Sequence, residues 1–257
     1  MAQVGPDNRA RPDRLDYTLQ ILEGTTALAE EAARRFITVA AEAQEHRSFI
    51  VAFSGGTTPQ TLYALLSSDL CRRQVDWTRI EFFFTDERGV PPHHPASNYR
   101  LANESLFRPA GVLPGQVHRM RGEMEDLNAA ADLYAHELTA LVDGGLPGFD
   151  LIFLGLGPDG HTASLFPNSA VLQERTRWVA PVLNAPKPPP RRLTLTVPVL
   201  NAAREVIFLV SGKDKAAAVR EVLQGTAPGE QYPAKLVQPT AGRLLWLLDK
   251  AAASSLS

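Results

Sequence analysis

The sequence predicts an α/β protein: an open, mostly parallel sheet with helices on both faces. Short apolar runs alternate along the chain with stretches whose apolar residues recur at helical spacing. Several of the runs are continuously apolar, as strands covered on both faces require. With 257 residues and 44% hydrophobic content, the chain is also long enough to bury the core such a sheet needs.

The strand-like runs are, in order, Thr18–Leu22, Phe49–Phe53, Ile80–Thr85, Leu151–Leu156, Trp178–Val182, Leu193–Val197, Val206–Val210 and Leu244–Leu248. After the first, Leu28, Ala32, Phe36, Val39 and Ala43 mark one face of a helix. A second helix is expected directly after Phe53, with Thr58 as N-cap and Pro59 at its first position. Residues 86–100 are polar and rich in Pro and His, and read as a long loop. Leu127, Ala131, Tyr134, Leu138 and Leu141 mark a third helix, and Ala218, Val219 and Val222 a fourth. Residues 184–191 (NAPKPPPR) form a stiff proline-rich loop, and 225–235 another loop. With no repeat or long linker, residues 17–257 read as a single domain behind a short disordered lead-in, 1–16.

Composition narrows the function. Lys and Arg are scattered among acids at a net charge of −2, so no nucleic-acid partner is expected. No apolar run approaches the ~18 residues that span a bilayer, and the arginines of the lead-in precede no apolar stretch, so neither membrane insertion nor secretion is expected. The single cysteine, Cys71, forms no internal disulfide; it reads as a small packing residue in a cytoplasmic protein. No oligomeric state can be read from the sequence.

Open parallel sheets bind ligands outside the carboxyl ends of their strands, so the residues after each run matter most. After Phe53 comes Ser54-Gly55-Gly56-Thr57-Thr58-Pro59. Gly55 and Gly56 let the backbone approach a ligand, and the helix start beyond them offers free N–H groups to a phosphate; the same residues also make an ordinary strand-to-helix turn. Thr85-Asp86-Glu87-Arg88 follows the third run: Arg88 is placed to clamp phosphate oxygens, and the acids to hold it or bind hydroxyls. Asn98 either reaches a sugar hydroxyl or starts a helix near Tyr99.

The sharpest segment follows the Leu151 run, where glycines lead into Asp159-Gly160-His161. A histidine titrates near pH ~6.5, so at neutral pH it can take a proton from water. Asp159 is set to orient that imidazole or to bind a hydroxyl. Gly155, Gly157 and Gly160 also spell a dinucleotide fingerprint, which is discounted: it lies deep in the chain, and Asp159 would face the pyrophosphate. Ser211-Gly212-Lys213-Asp214-Lys215 places cations at a helix start, where an anionic ligand would relieve their conflict with the macrodipole. Arg191 and Arg192 are further cationic candidates.

Taken together, SGGTTP at 54–59, FTDER at 84–88, GLGPDGHTASLFPN at 155–168, LTLTVPVLNAAR at 193–204 and SGKDKA at 211–216 resemble the 6-phosphogluconolactonase branch of the sugar-phosphate isomerase superfamily. The resemblance implies a modified Rossmann-type fold and the opening of 6-phospho-D-glucono-1,5-lactone to 6-phosphogluconate without metal or organic cofactor. It also implies His161 as the base that activates water, with Gly56, Thr57, Arg88, one of Arg191 and Arg192, and Lys215 holding the sugar phosphate. The related deaminases carry an additional acid near the position of Phe166, which this chain lacks. A non-catalytic sugar-phosphate binding module on the same fold is the other reading.

Overall fold

The computed structural model describes residues 17–140 and 145–257; the expected lead-in 1–16, and Leu141 of the third helical pattern, lie outside them. Nine strands are found among the described residues: β1 (Thr18–Leu22), β2 (Phe49–Phe53), β3 (Ile80–Phe84), β4 (Asp86–Arg88), β5 (Leu151–Leu154), β6 (Val179–Val182), β7 (Arg192–Leu195), β8 (Glu205–Val210) and β9 (Arg243–Asp249). Six of them form one sheet in the order β1-β9-β8-β5-β2-β3, with every neighbouring pair parallel. The mostly parallel α/β class is thus present, and both faces are covered.

Alternation along the strands feeds two cores. Val206, Phe208 and Val210 of β8 point into one, with Tyr134 and Leu138 of the helix Leu127–Thr139 and Val219 and Val222 of the helix Ala216–Gln224. Ile207 and Leu209 point into the other, with Leu28 and Phe36 of the helix Thr25–Gln44 and Leu62 of the helix Thr57–Leu66. None of the helices among the described residues is long and apolar enough to cross a membrane.

Three expectations change. The runs near Trp178 and Leu193 do not join the parallel sheet; β6 and β7 pair antiparallel and, with β4, make a separate three-stranded sheet. Second, residues 86–100 are not all loop: β4 occupies Asp86–Arg88, and a helix starts at Asn98. A three-residue strand carries no period of its own and exists because Arg192–Thr194 pairs with it. Third, the helix after β2 starts two residues early, with Gly56 at φ 120° as N-cap. Pro59 then sits in the first turn, where its missing N–H costs no intrahelical bond.

Buried charge at the amino ends of the strands is fully paired. Glu205, opening β8, accepts from Arg35 Nε at 2.5 Å and from Arg243 Nε at 3.1 Å. Asp150, before β5, accepts from Arg47 Nη1 at 2.7 Å and Ile50 N at 2.9 Å. Breaking a buried pair by removing one partner leaves an uncompensated charge, so these acids fasten the sheet.

One surface cluster makes stability pH-dependent. The His118 ring stacks on Phe83 at 4.2 Å and lies 3.0 Å from Glu81 and 3.1 Å from Glu137. Burial opposes its protonation, but the two carboxylates outweigh that and raise its pKa above the ordinary histidine value. Its contribution is therefore complete below pH ~6.5 and disappears as pH rises through the raised value. We expect His118→Gln to lower stability by about 0.5–1 kcal/mol at pH 6, with the deficit closing toward pH 9 in denaturant titrations of both proteins.

Candidate active site

The site lies where the topology reverses. From β2 the chain moves outward to β3, whereas β5 adds on the opposite side of β2 and is followed there by β8. A crevice opens between the loops after β2 and β5, at the carboxyl ends of the strands, as open α/β sheets require. It holds a cavity of about 350 Å³, within the range of ~300–1,000 Å³ usual for small-molecule sites.

Five segments supply its walls. Gly55 and Gly56 lead into the helix Thr57–Leu66, whose first turn has no side-chain cap, so its leading N–H groups face the cavity uncommitted. A Cβ on Gly55 would stand 1.8 Å from Asn98 Oδ1, so only glycine fits there. Asp86 and Arg88 of β4 form the second wall. Asp86 is 4% exposed and accepts from Ser164 Oγ at 2.7 Å and Asn98 Nδ2 at 3.0 Å. Arg88 donates from Nη1 to Ala96 O at 2.7 Å, and its buried Nε has no partner among the described residues.

Beyond β5, the chain turns through Gly157–Gly160 to bring His161 onto the cavity wall. Gly157 N donates to His161 O at 2.8 Å, and Gly160 adopts φ 77°, a left-handed turn that favours glycine. His161 Nδ1 lies 2.5 Å from Asp159 Oδ1, and the ring stacks on Phe166 at 4.6 Å. With Nδ1–H given to the carboxylate, the tautomer leaves a lone pair on Nε2. Burial opposes ionisation of Asp159, but His161 and Lys187 outweigh it and hold the carboxyl well below the ordinary carboxylate range. Next along the wall, Ala163 takes φ 47°, a strained value for a residue with a Cβ, costing roughly 1–2 kcal/mol. Such strain is found where a side chain must be aimed.

The remaining cations complete the cavity. Lys215 lines it from the turn before the helix Ala216–Gln224, with Nζ 2.9 Å from Asp214 Oδ2. Arg192 is 4% exposed and gives its donors to carbonyls alone, Pro189 O at 3.0 Å and Lys187 O at 3.1 Å among them. Burial pulls its pKa below the ordinary guanidinium value against the attraction of Asp86. Arg88, Lys187, Arg192 and Lys215 thus face Asp86, the one carboxylate on the wall among the described residues. At the amino ends of the strands arginines meet carboxylates; here Lys187 and Lys215 keep Asp159 and Asp214 as partners, but the guanidinium groups of Arg88 and Arg192 donate only to carbonyls and have no carboxylate bound to them among the described residues. An anion of more than one charge is the ligand this wall fits.

Gly55, Gly56, Thr57, Asp86, Arg88, His161, Arg192 and Lys215 therefore share one cavity. Asp159 stands behind His161, in the orienting position rather than on the wall. Two candidates fall elsewhere. Arg191 precedes β7 on the opposite side from its neighbour Arg192 and donates from Nη2 to the carbonyls of Met124 and Glu125. Asn98 is the first residue of its helix and is spent behind Gly55 on the backbone and side chain of Asp86. Glu87 turns away as well: its buried carboxylate accepts from the N–H groups of Asn98 and Tyr99 at the helix start. The glycine fingerprint leads into a turn and a bridge at Thr162 rather than a helix, so its phosphate-binding geometry is missing. No cluster of three or more His, Cys, Asp and Glu among the described residues is arranged to hold a metal ion.

Sequence reading missed Lys187. Its Nζ lies 3.2 Å from Asp159 Oδ1 and 3.3 Å from His161 Nδ1. The available signal was a lysine set between prolines in a rigid loop, which fixes where its stem begins.

The chain is similar to known proteins over most of its length. Residues 23–246 match the family described as glucosamine-6-phosphate isomerases/6-phosphogluconolactonase. A 6-phosphogluconolactonase of Streptomyces coelicolor is 43% identical over 89% of this chain and 90% of its own. The Homo sapiens 6-phosphogluconolactonase is 42% identical over 90% of this chain and 89% of its own. Among solved structures, the 6-phosphogluconolactonase from Trypanosoma cruzi superposes with a TM-score of 0.82 at 28% identity, covering 95% of this chain and 98% of that one.

Proposed function

The chain belongs to the glucosamine-6-phosphate isomerase/6-phosphogluconolactonase family, and on that premise we propose that it opens 6-phospho-D-glucono-1,5-lactone to 6-phosphogluconate in the oxidative pentose phosphate pathway. It is a carboxylic-ester hydrolase of the lactonase branch. One observation carries the chemistry: an imidazole whose Nδ1 is committed to Asp159 shares a cavity with four cations.

In this reading Nε2 of His161 removes a proton from water as its oxygen attacks C1 of the lactone. The carbonyl π electrons move onto the carbonyl oxygen. When the tetrahedral intermediate collapses, the C1–ring-oxygen bond breaks, and the imidazolium returns its proton to that oxygen. Positioned acid–base catalysis of this kind contributes about 10²–10⁴-fold. The substrate phosphate carries close to two negative charges. Arg88, Arg192, Lys215 and the start of the helix Thr57–Leu66 hold it, so binding at the remote end places C1 near the base. Asp86, buried and acceptor-rich, takes a ring hydroxyl. The deaminase reading is less well supported, because Phe166 packs on the imidazole where that branch is expected to bring an acid. With Cys71 free and buried, a reducing cytoplasm is the proposed setting.

The test is acid release from freshly generated lactone, read in a weakly buffered indicator assay with the spontaneous rate subtracted. Acceleration that saturates with lactone, and no ammonia from glucosamine 6-phosphate, is the expected result. Binding of 6-phosphogluconate without acceleration would establish a binding module instead.

A further inference from the structure

We propose that Lys187 is a positioning residue: it shares the Asp159 carboxylate with His161, keeps the imidazole available as a base toward acidic pH, and hastens its proton onto the leaving oxygen. This deepens the lactonase reading and rests on it.

Two donors meet on one oxygen. Asp159 Oδ1 lies 2.5 Å from His161 Nδ1 and 3.2 Å from Lys187 Nζ. In an isolated Asp–His pair the carboxylate favours the imidazolium, which would leave the base protonated at moderately acidic pH. An ammonium 3.3 Å from Nδ1 opposes that charge directly and takes part of the carboxylate for itself. The aspartate still fixes the ring and its tautomer, while the ammonium opposes its electrostatic pull. Once water has been deprotonated, the same ammonium repels the imidazolium and favours release of its proton. Only the proton moves; Lys187 keeps its own.

The loop is built to hold the ammonium there. Arg192 donates to the carbonyls of Lys187 at 3.1 Å, Pro188 at 3.3 Å and Pro189 at 3.0 Å. Ala185 N closes the loop on Pro190 O at 2.8 Å. The Arg192 guanidinium lies 5.3 Å from the centre of the Phe166 ring, which itself stacks on His161. Cation and imidazole are therefore located by a common packing unit. The other charges facing His161 are Asp86 and Arg88 of β4, Arg192 behind Phe166, and Lys215 across the cavity. None of these touches the Asp159 carboxylate among the described residues, whereas Lys187 does.

The decisive measurement is kcat/KM from pH 5.5 to 7.5 for the full chain and for Lys187→Met and Lys187→Arg, corrected for spontaneous opening. Lys187→Met is expected to lower the ratio of the pH 5.5 rate to the pH 7.5 rate by about five- to tenfold, and Lys187→Arg to restore it. The same change is expected with glucono-1,5-lactone, which has no phosphate. A raised KM for the phosphorylated lactone alone, with the pH ratio unchanged, makes Lys187 a phosphate ligand and overturns the proposal. Proton NMR of the His161 ring, assigned by its loss in His161→Gln, gives a reading that needs no turnover. Its titration is expected at higher pH in Lys187→Met than in the unmodified protein. Coincident titrations would also overturn the proposal, whereas a chain inactive on any lactone would refute only the assigned reaction.

Discussion

His161→Ala is expected to cut kcat for lactone opening by about 10²–10⁴-fold while leaving the fold and the grip on the phosphate in place. The substitution removes the lone pair on Nε2 and nothing else that the reaction requires. The backbone bond from Gly157 N to His161 O, which shapes the loop, survives it. Arg88, Arg192, Lys215 and the open helix start still face the cavity. Affinity for 6-phosphogluconate should consequently stay within a few-fold of the unmodified protein by calorimetry, and KM should change little beside kcat. Thermal unfolding checks that the loss of stacking on Phe166 has not disturbed the core. Because the lactone opens on its own, the enzymatic rate has to be read as the excess over a protein-free control. Turnover close to that of the unmodified protein would remove His161 from the mechanism.

What the sequence discloses depends on whether a residue's environment is local. β2, β3, β5, β8 and β9 are legible because a strand covered on both faces must be apolar at successive positions. The sites after them follow from the sheet rule, which is why Gly56, Arg88, His161 and Lys215 are found on one cavity. Side-chain direction is less accessible. Arg191 and Arg192 are equivalent as letters, and strand alternation alone sends one to the carbonyls of Met124 and Glu125 and the other to the cavity. Asn98 looks like a sugar ligand until the fold places Asp86 within its reach. β4 is set by pairing with β7, about a hundred residues further along the chain, beyond any local pattern. Lys187 is the clearest case. Its neighbours in sequence are prolines, whereas its partners are the acid and base of a loop 26 residues and more away.

Gly157→Ala is expected to cost about 10²-fold or more in kcat, although no catalytic atom is removed. Gly157 does not need glycine for its backbone: it is not among the positive-φ residues, and its N–H bond to His161 O is open to any non-proline residue. What it needs is empty space. A Cβ there would stand 1.9 Å from His161 Nδ1, 2.2 Å from Cε1 and 2.5 Å from Asp159 Oδ1. All three contacts are with the oriented pair, so the methyl acts as a wedge between the ring and its aspartate. Relief by swinging the imidazole outward breaks the Nδ1 contact and misplaces Nε2 by about an ångström, a displacement that typically costs 10²-fold. Gly148→Ala is the matching control, since a Cβ there meets nothing within 4 Å and the residue is exposed, outside the cavity. If the wedge acts through the imidazole, the effects will not add: Gly157→Ala in a His161→Ala background should cost almost nothing more. Full additivity would mean that the glycine serves something other than the ring, such as a backbone N–H aimed at the developing oxyanion. Unchanged kcat in the single variant would mean that the Asp159–His161 contact is not what sets the rate.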